Sequence, residues 1–322
     1  MSALTPPLGR PLLDPADHFP DLAVLRSAVQ LRDVDAVVAA FDSLPDEDDR
    51  ALACRVAGEQ RGCDPFAREA AAARPEDALF PCLAAESLIL RGWEIRSNLG
   101  AEHVTQHQFD SFHSHLRKAE ILLIDVCAEH PDSALAWYLR LITARGLELG
   151  QSEARRRYER LAEHHPHHYS GQTQLLQQLC PKWGGTWEEA EDFALTCAGA
   201  APEGNPNGAL VATFQMERYL ETAEKQGKRA AAAYLSEPAQ HTALREAASR
   251  SVLHAAARPG AYQSVAAHNA FAAAHSAAGR PEEAAPHFRA LGDRANRHPW
   301  GYLNRDQAAE FARHRKTALA KG

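Results

Sequence analysis

The residues of this chain whose spacing could do chemistry are histidines with one carboxylate, and a tryptophan in a glycine-rich loop. Of 322 residues, 17 are histidine. His103, His107, Asp110, His113 and His115 crowd into one short segment. On a helix running from Val104, His103 and His107 share a face, and Asp110 follows almost beneath them. Two imidazoles and a carboxylate in that arrangement suit zinc or iron. The plainer reading is a solvated polar face, because the chain has no HExxH and no second helix offering a matching ligand. His113 has Phe109 and Phe112 as neighbours and points elsewhere. A second run, His164-His165-Pro166-His167-His168, falls at a turn and predicts exposed imidazoles. His268 is expected to pack between helices, and Asn269 beside it is expected to face a groove.

Other catalytic patterns are missing. There is no nucleophile elbow, no phosphate-binding loop and no dinucleotide fingerprint. No cofactor is expected, with zinc or iron as the alternative. The six cysteines form no CxxC pair, and most lie in apolar helical stretches as small hydrophobes. The net charge of -7 argues against nucleic acid as the main partner. The densest basic run, Arg155-Arg156-Arg157, reads as a solvated helix face beside Glu153 and Glu159. The N-terminus shows no basic segment followed by an apolar one, and the longest apolar runs are too short to span a bilayer. The expectation is a cytoplasmic protein with no membrane contact.

The elements that must position these residues are helices. Ala, Leu, Glu, Arg and Gln dominate, and alternating strand patterns are absent from the sequence. Residues 1–19 are proline-rich and predict an extended segment, and 20–322 predict a single helical domain. Ala119, Leu123, Val126 and Pro131 repeat as Ala154, Tyr158, Leu161 and Pro166, then as Ala190, Ala194, Cys197 and Pro202. A fourth copy, Ala284, Phe288 and Leu291, ends in Asn296. The spacing is close to the ~34-residue period of tetratricopeptide units. The small residue lets two helices cross closely, and the proline sets the turn to the next unit. The predicted fold is all-α, a tetratricopeptide-like α-solenoid of antiparallel helix pairs. Further helices are expected from Asp33 to Leu44 and Pro65 to Arg74, with Phe41 and Phe66 in the core. Another is expected from Ala134 to Leu149, ended by Gly150, and one from Ala266 ends at Gly279 before Pro281, Glu282 and Glu283 open the next. Residues 203–257 have no clear register. The final His314-Arg315-Lys316 reads as a polar cap.

The most distinctive loop is Cys180-Pro181-Lys182-Trp183-Gly184-Gly185-Thr186-Trp187-Glu188-Glu189. Thr186 and Glu189 have the spacing of a capping box. Pro181-Lys182-Trp183-Gly184-Gly185, Glu189 and Phe193-Ala194 resemble a family of bacterial proteins with tetratricopeptide-like folds and a domain of unknown function. Pro166-His167-His168-Tyr169, Asn269, Gly279-Arg280, Ala284 and Pro299-Trp300 are similar as well. The resemblance spans residues 80–315 and implies a fold without an activity. As a ligand contact, Trp183 would be an aromatic platform and Lys182 an anion partner. As a structural element, Trp183 would wedge between helices.

Two functions follow. The first is an interaction scaffold that takes a protein or peptide on a concave face, with Asn269 in the groove. Leu139 and Thr143 stand where a carboxylate clamp would need Asn or Lys. The second is an enzyme or ligand-binding protein with a pocket near the His103 helix and the Trp183 loop. The oligomeric state is left open.

Overall fold

The computed structural model describes residues 8–97 and 103–322. It is all-α: helices make up every regular element among the described residues, and an isolated bridge pairs Leu12 with Arg294. Close packing divides the chain into two compact units, with the boundary between Thr186 and Trp187. The first unit is Phe19–Thr186, and the second joins the segment up to His18 with Trp187–Gly322.

The second unit opens with α1 (Pro15–His18). The first unit then holds α2 (Pro20–Leu31), α3 (Val34–Asp42), α4 (Glu47–Gly58), α5 (Cys63–Ala73), α6 (Leu79–Arg96), α7 (Gln106–Glu129), α8 (Ala134–Gly146), α9 (Gln151–His164) and α10 (Tyr169–Leu179). The second unit continues with α11 (Trp187–Ala200), α12 (Ala209–Gln226), α13 (Lys228–Leu235), α14 (Pro238–Arg250), α15 (Tyr262–Ala277), α16 (Pro281–Leu291), α17 (Arg297–Leu303) and α18 (Gln307–Lys321). Neighbours in sequence pack on one another, as α6 on α7, α8 on α9 and α15 on α16.

Most repeat positions are core positions, Tyr158 being only half-buried. Ala119, Leu123, Ala154, Leu161, Ala190, Ala194, Ala284 and Phe288 are all buried. Phe41 and Phe66 are buried as well. The stretch without a sequence register contains α12, α13 and α14, with Gly227 at positive φ between the first two.

One helix end differs from expectation in an instructive way. Helix α8 stops at Gly146, and Glu148 takes the left-handed position at φ 55°. Leu149 N–H donates to Ala144 O at 3.0 Å and Glu148 N–H to Arg145 O at 3.2 Å, the two bonds of a Schellman end. Gly150 instead precedes α9. Gly146 is needed earlier, where a Cβ would collide with Leu116 and Phe112 of α7. Helix α15 ends as predicted, with Gly279 at φ 71° and Arg280 N–H donating to His275 O at 2.9 Å.

The C-terminal run is not a simple polar cap. Arg315 is buried and donates to Gly292 O at 2.7 Å and Gly9 O at 2.6 Å. The N-terminal segment is thereby held in the second unit, with Ala295 N–H on Leu12 O at 2.8 Å. Residues 1–7 of the expected extended segment lie outside the described residues. The remainder runs without helix to Asp14 and then forms α1.

Candidate functional site

A buried ion network sets the positions of α7, α8 and α9. Glu120 on α7 accepts from Arg140 Nε and Nη2 of α8 at 3.2 and 3.0 Å. It also accepts from Arg157 Nη1 and Nη2 of α9 at 3.0 and 2.8 Å, and from Thr143 Oγ1 at 2.5 Å. All four residues are buried. Arg157 also donates to Glu153 Oε1 at 2.7 Å, and Arg156 lies on the same carboxylate. That Arg156 contact leads the causes that hold Glu153 down to about 2. The basic run is therefore only partly a solvated face: Arg157 is turned inward because Glu120 is there to meet it. A buried carboxylate with two guanidinium partners has its desolvation cost offset in part by their attraction. Leu139 and Thr143, the two supposed groove positions, are fully buried.

This framework presents a patch of half-buried rings and cations. Trp93, on the last turns of α6, meets Phe112 of α7 edge-on with centroids 4.8 Å apart. It meets Trp183 edge-on at 6.3 Å and an interplanar angle of 85°. The Arg145 guanidinium of α8 stands 5.6 Å from the Trp183 ring and 5.8 Å from the Trp93 ring. Arg96 lies 5.7 Å from Trp93 and 6.0 Å from Phe109. Trp93, Arg96, Phe109, Arg145 and Trp183 are all partly exposed, and Lys182 is exposed.

The loop that carries Trp183 is fixed by its backbone. The Trp183 carbonyl accepts from Gln178 Nε2 at 3.0 Å and Gln151 Nε2 at 3.1 Å. Gly185 N–H donates to Cys180 O at 3.3 Å, and a Cβ at 185 would strike the Leu179 backbone. Gly184 takes φ 86°, where a side chain is strained. Arg145 Nη1 is steered by Gln174 Oε1 at 2.8 Å. Trp183 packs on Trp93 and leaves part of its ring open. Trp93 and Arg145 went unrecognised in the sequence. Each is an isolated residue within an apolar helix, and only the fold places them beside the loop.

The histidine ligand set is not assembled. The helix starts at Gln106, with Thr105 as its N-cap and Gln108 completing a capping box. His103 therefore precedes the helix, and the face argument that joined it to His107 does not apply. Asp110 Oδ1 accepts from Gln106 Nε2 at 2.8 Å. Among the described residues, no three His, Cys, Asp or Glu side chains stand where they could hold one metal ion. His115 Nδ1 lies 2.8 Å from Ser111 O.

The other candidates are structural. Asn269 faces no groove: it is fully buried, with every hydrogen-bonding position used. Its Nδ2 donates to Val265 O and Arg294 O at 2.8 and 3.3 Å. Its Oδ1 accepts from Trp300 Nε1 at 2.7 Å and Asn296 N at 3.2 Å. In the histidine-proline run, His168 is buried and its Nδ1 accepts from Gly171 N–H at 3.0 Å, capping α10. All six cysteines are buried.

Among the described residues no helix is long and apolar enough to cross a membrane. The sequence matches no protein-family model and none of the curated proteins, so the geometry of the Trp93–Trp183 patch is what a functional reading must rest on.

Proposed function

We propose that this protein is a helical-repeat scaffold, with tetratricopeptide-like antiparallel helix pairs, that binds a protein or peptide segment on the Trp93–Trp183 patch. The burial of the repeated small and large positions supports the repeat reading. The observation that carries the binding reading is the pair of half-open tryptophan rings flanked by Arg96 and Arg145, with Lys182 exposed alongside. Tryptophan and arginine are the residues that dominate binding energy at protein interfaces. The guanidinium groups of Arg96 and Arg145 beside the rings favour a segment carrying acidic groups, within a chain whose net charge is -7.

The family resembled in the loop sequence agrees with this reading in fold and adds no activity to it. Selection from a random peptide library on the intact protein tests the proposal. Enriched peptides should be acidic and should lose at least about tenfold in affinity when Trp93 or Arg145 is truncated. Enrichment of peptides indifferent to both substitutions would remove the patch as the binding site.

A further inference from the structure

Five titratable side chains of the second unit lie in a row from α14 into the packing of α15 on α16. His241 Nε2 on α14 lies 2.5 and 2.6 Å from the two carboxylate oxygens of Glu283 on α16. His275 Nδ1 on α15 lies 3.2 Å from Glu283 Oε2, an ion-pair distance without a hydrogen bond. The His275 ring stacks with His287 of α16 at 5.7 Å and 17°. His287 Nδ1 then meets His268 Nδ1 of α15 at 3.0 Å, and Phe271 stacks with His287 at 5.1 Å.

One end of the line is open and the other is sealed. The side chains of His241 and Glu283 are 17% and 28% exposed. His275, His287 and His268 are 2%, 0% and 5% exposed. The 3.0 Å contact between two Nδ1 atoms requires one hydrogen and one lone pair. His287 Nε2 has no hydrogen-bond partner in the core. A hydrogen on His287 Nδ1 leaves only a bare lone pair at that Nε2, which is better tolerated than a buried unpaired N–H. Protonating His268 Nδ1 removes the acceptor, and protonating His287 Nε2 buries a charge against Phe271.

Burial and most of the groups around the line oppose charging it. Burial is the largest cause at each of the three inner rings. Arg294 acts against a proton on His268. Glu283 favours one on His275, while His241 and Arg280 oppose it. His268 and His275 both act against one on His287.

We propose that this line is an acid-sensitive latch on the α15–α16 packing, in which protonation of its buried rings in acid breaks the neutral His268–His287 pair and opens that packing. His268 and His275 are held down to about 4 and His287 well below its ordinary value of 6.5. Neutral rings in the fold contribute stability that is complete above 6.5 and drains as pH falls from 6.5 towards 4.

The test is hydrogen exchange on the full chain, corrected for intrinsic rates, compared between neutral and acidic pH. Protection in α15 and α16 should fall at least about tenfold more than in α7 and α8. His287→Phe keeps a flat ring on Phe271 without a titrating nitrogen, and should move the opening about one pH unit lower. Uniform loss of protection, or opening of the variant at the wild-type pH, would overturn the latch. Should the variant fail to fold, ring nitrogen spectra of the wild-type histidines decide the matter. His268 and His287 should remain neutral below their ordinary titration range, and a proton on either at near-neutral pH would contradict the proposal.

Discussion

Asn269 Oδ1 takes the indole N–H of Trp300 at 2.7 Å, which ties α15 to α17 through a side chain with no exposed surface. The same amide closes the chain at Arg294 and Asn296. Its role is to satisfy four partners at once, and this leaves nothing for a ligand. Asn269→Ala should cost the second unit about 2–4 kcal/mol by stranding several buried polar groups. Chemical denaturation followed by circular dichroism checks this, and undiminished stability with lost peptide binding would return Asn269 to the binding site.

Glu86 gives the first unit a pH response opposite in sign to that of the histidine line. The residue is 1% exposed, and its Oε2 has no hydrogen-bond partner. Burial, partly offset by Arg55, pushes its carboxyl from 4.5 up to about 7. Below 4.5 both folded and unfolded chains hold the proton, so no penalty exists there. Between 4.5 and about 7 the unfolded chain ionises first, and stability falls as pH rises. Glu86→Gln should therefore match the wild type in acid and exceed it by about 3 kcal/mol in mild alkali. Unfolding curves of the two proteins at both ends of that range check the crossing; equal stability throughout would show that Glu86 ionises normally.

The Glu120 network predicts asymmetric mutational costs. Glu120→Ala leaves Arg140 and Arg157 buried with their main counter-charge gone, at an expected cost of about 3–5 kcal/mol. Replacing Glu120, Arg140 and Arg157 together by apolar residues of similar size should recover most of that loss. Denaturant midpoints of the single and triple variants provide the comparison. A triple variant weaker than Glu120→Ala would mean that the ions stabilise more than their burial costs.

Gly146→Ala tests the crossing of α7 and α8. The added methyl would meet Leu116 and Phe112, so a loss of about 1–3 kcal/mol is expected. Gly150→Ala carries strain of a different kind, because Gly150 sits at φ 87° with open space around its Cβ position. A melting-temperature series on both variants separates collision from backbone strain.

Much of the helical framework was legible because it follows from local rules. Pro281 with Glu282 and Glu283 starts a helix, Gly279 ends one, and the alanine positions at 119, 154, 190 and 284 are buried. What escaped the sequence depends on partners far along the chain. Arg157 looks solvated until Glu120 is brought to it, and Arg315 looks like a cap until Gly9 is brought to it. The candidate site was half legible: the loop around Trp183 stands out by composition, whereas Trp93 and Arg145 acquire meaning only by proximity. The helix start at Gln106 depends on Thr105 and Gln108, and it decided against the histidine face.

The most direct test of the scaffold reading is the affinity of a library-selected acidic peptide for the wild type and for Arg145→Gln, measured by calorimetry at low and high salt. The account predicts saturable one-to-one binding that weakens with salt and falls at least about tenfold in the variant. Equal affinity for both proteins, with the variant folded by circular dichroism, would contradict it.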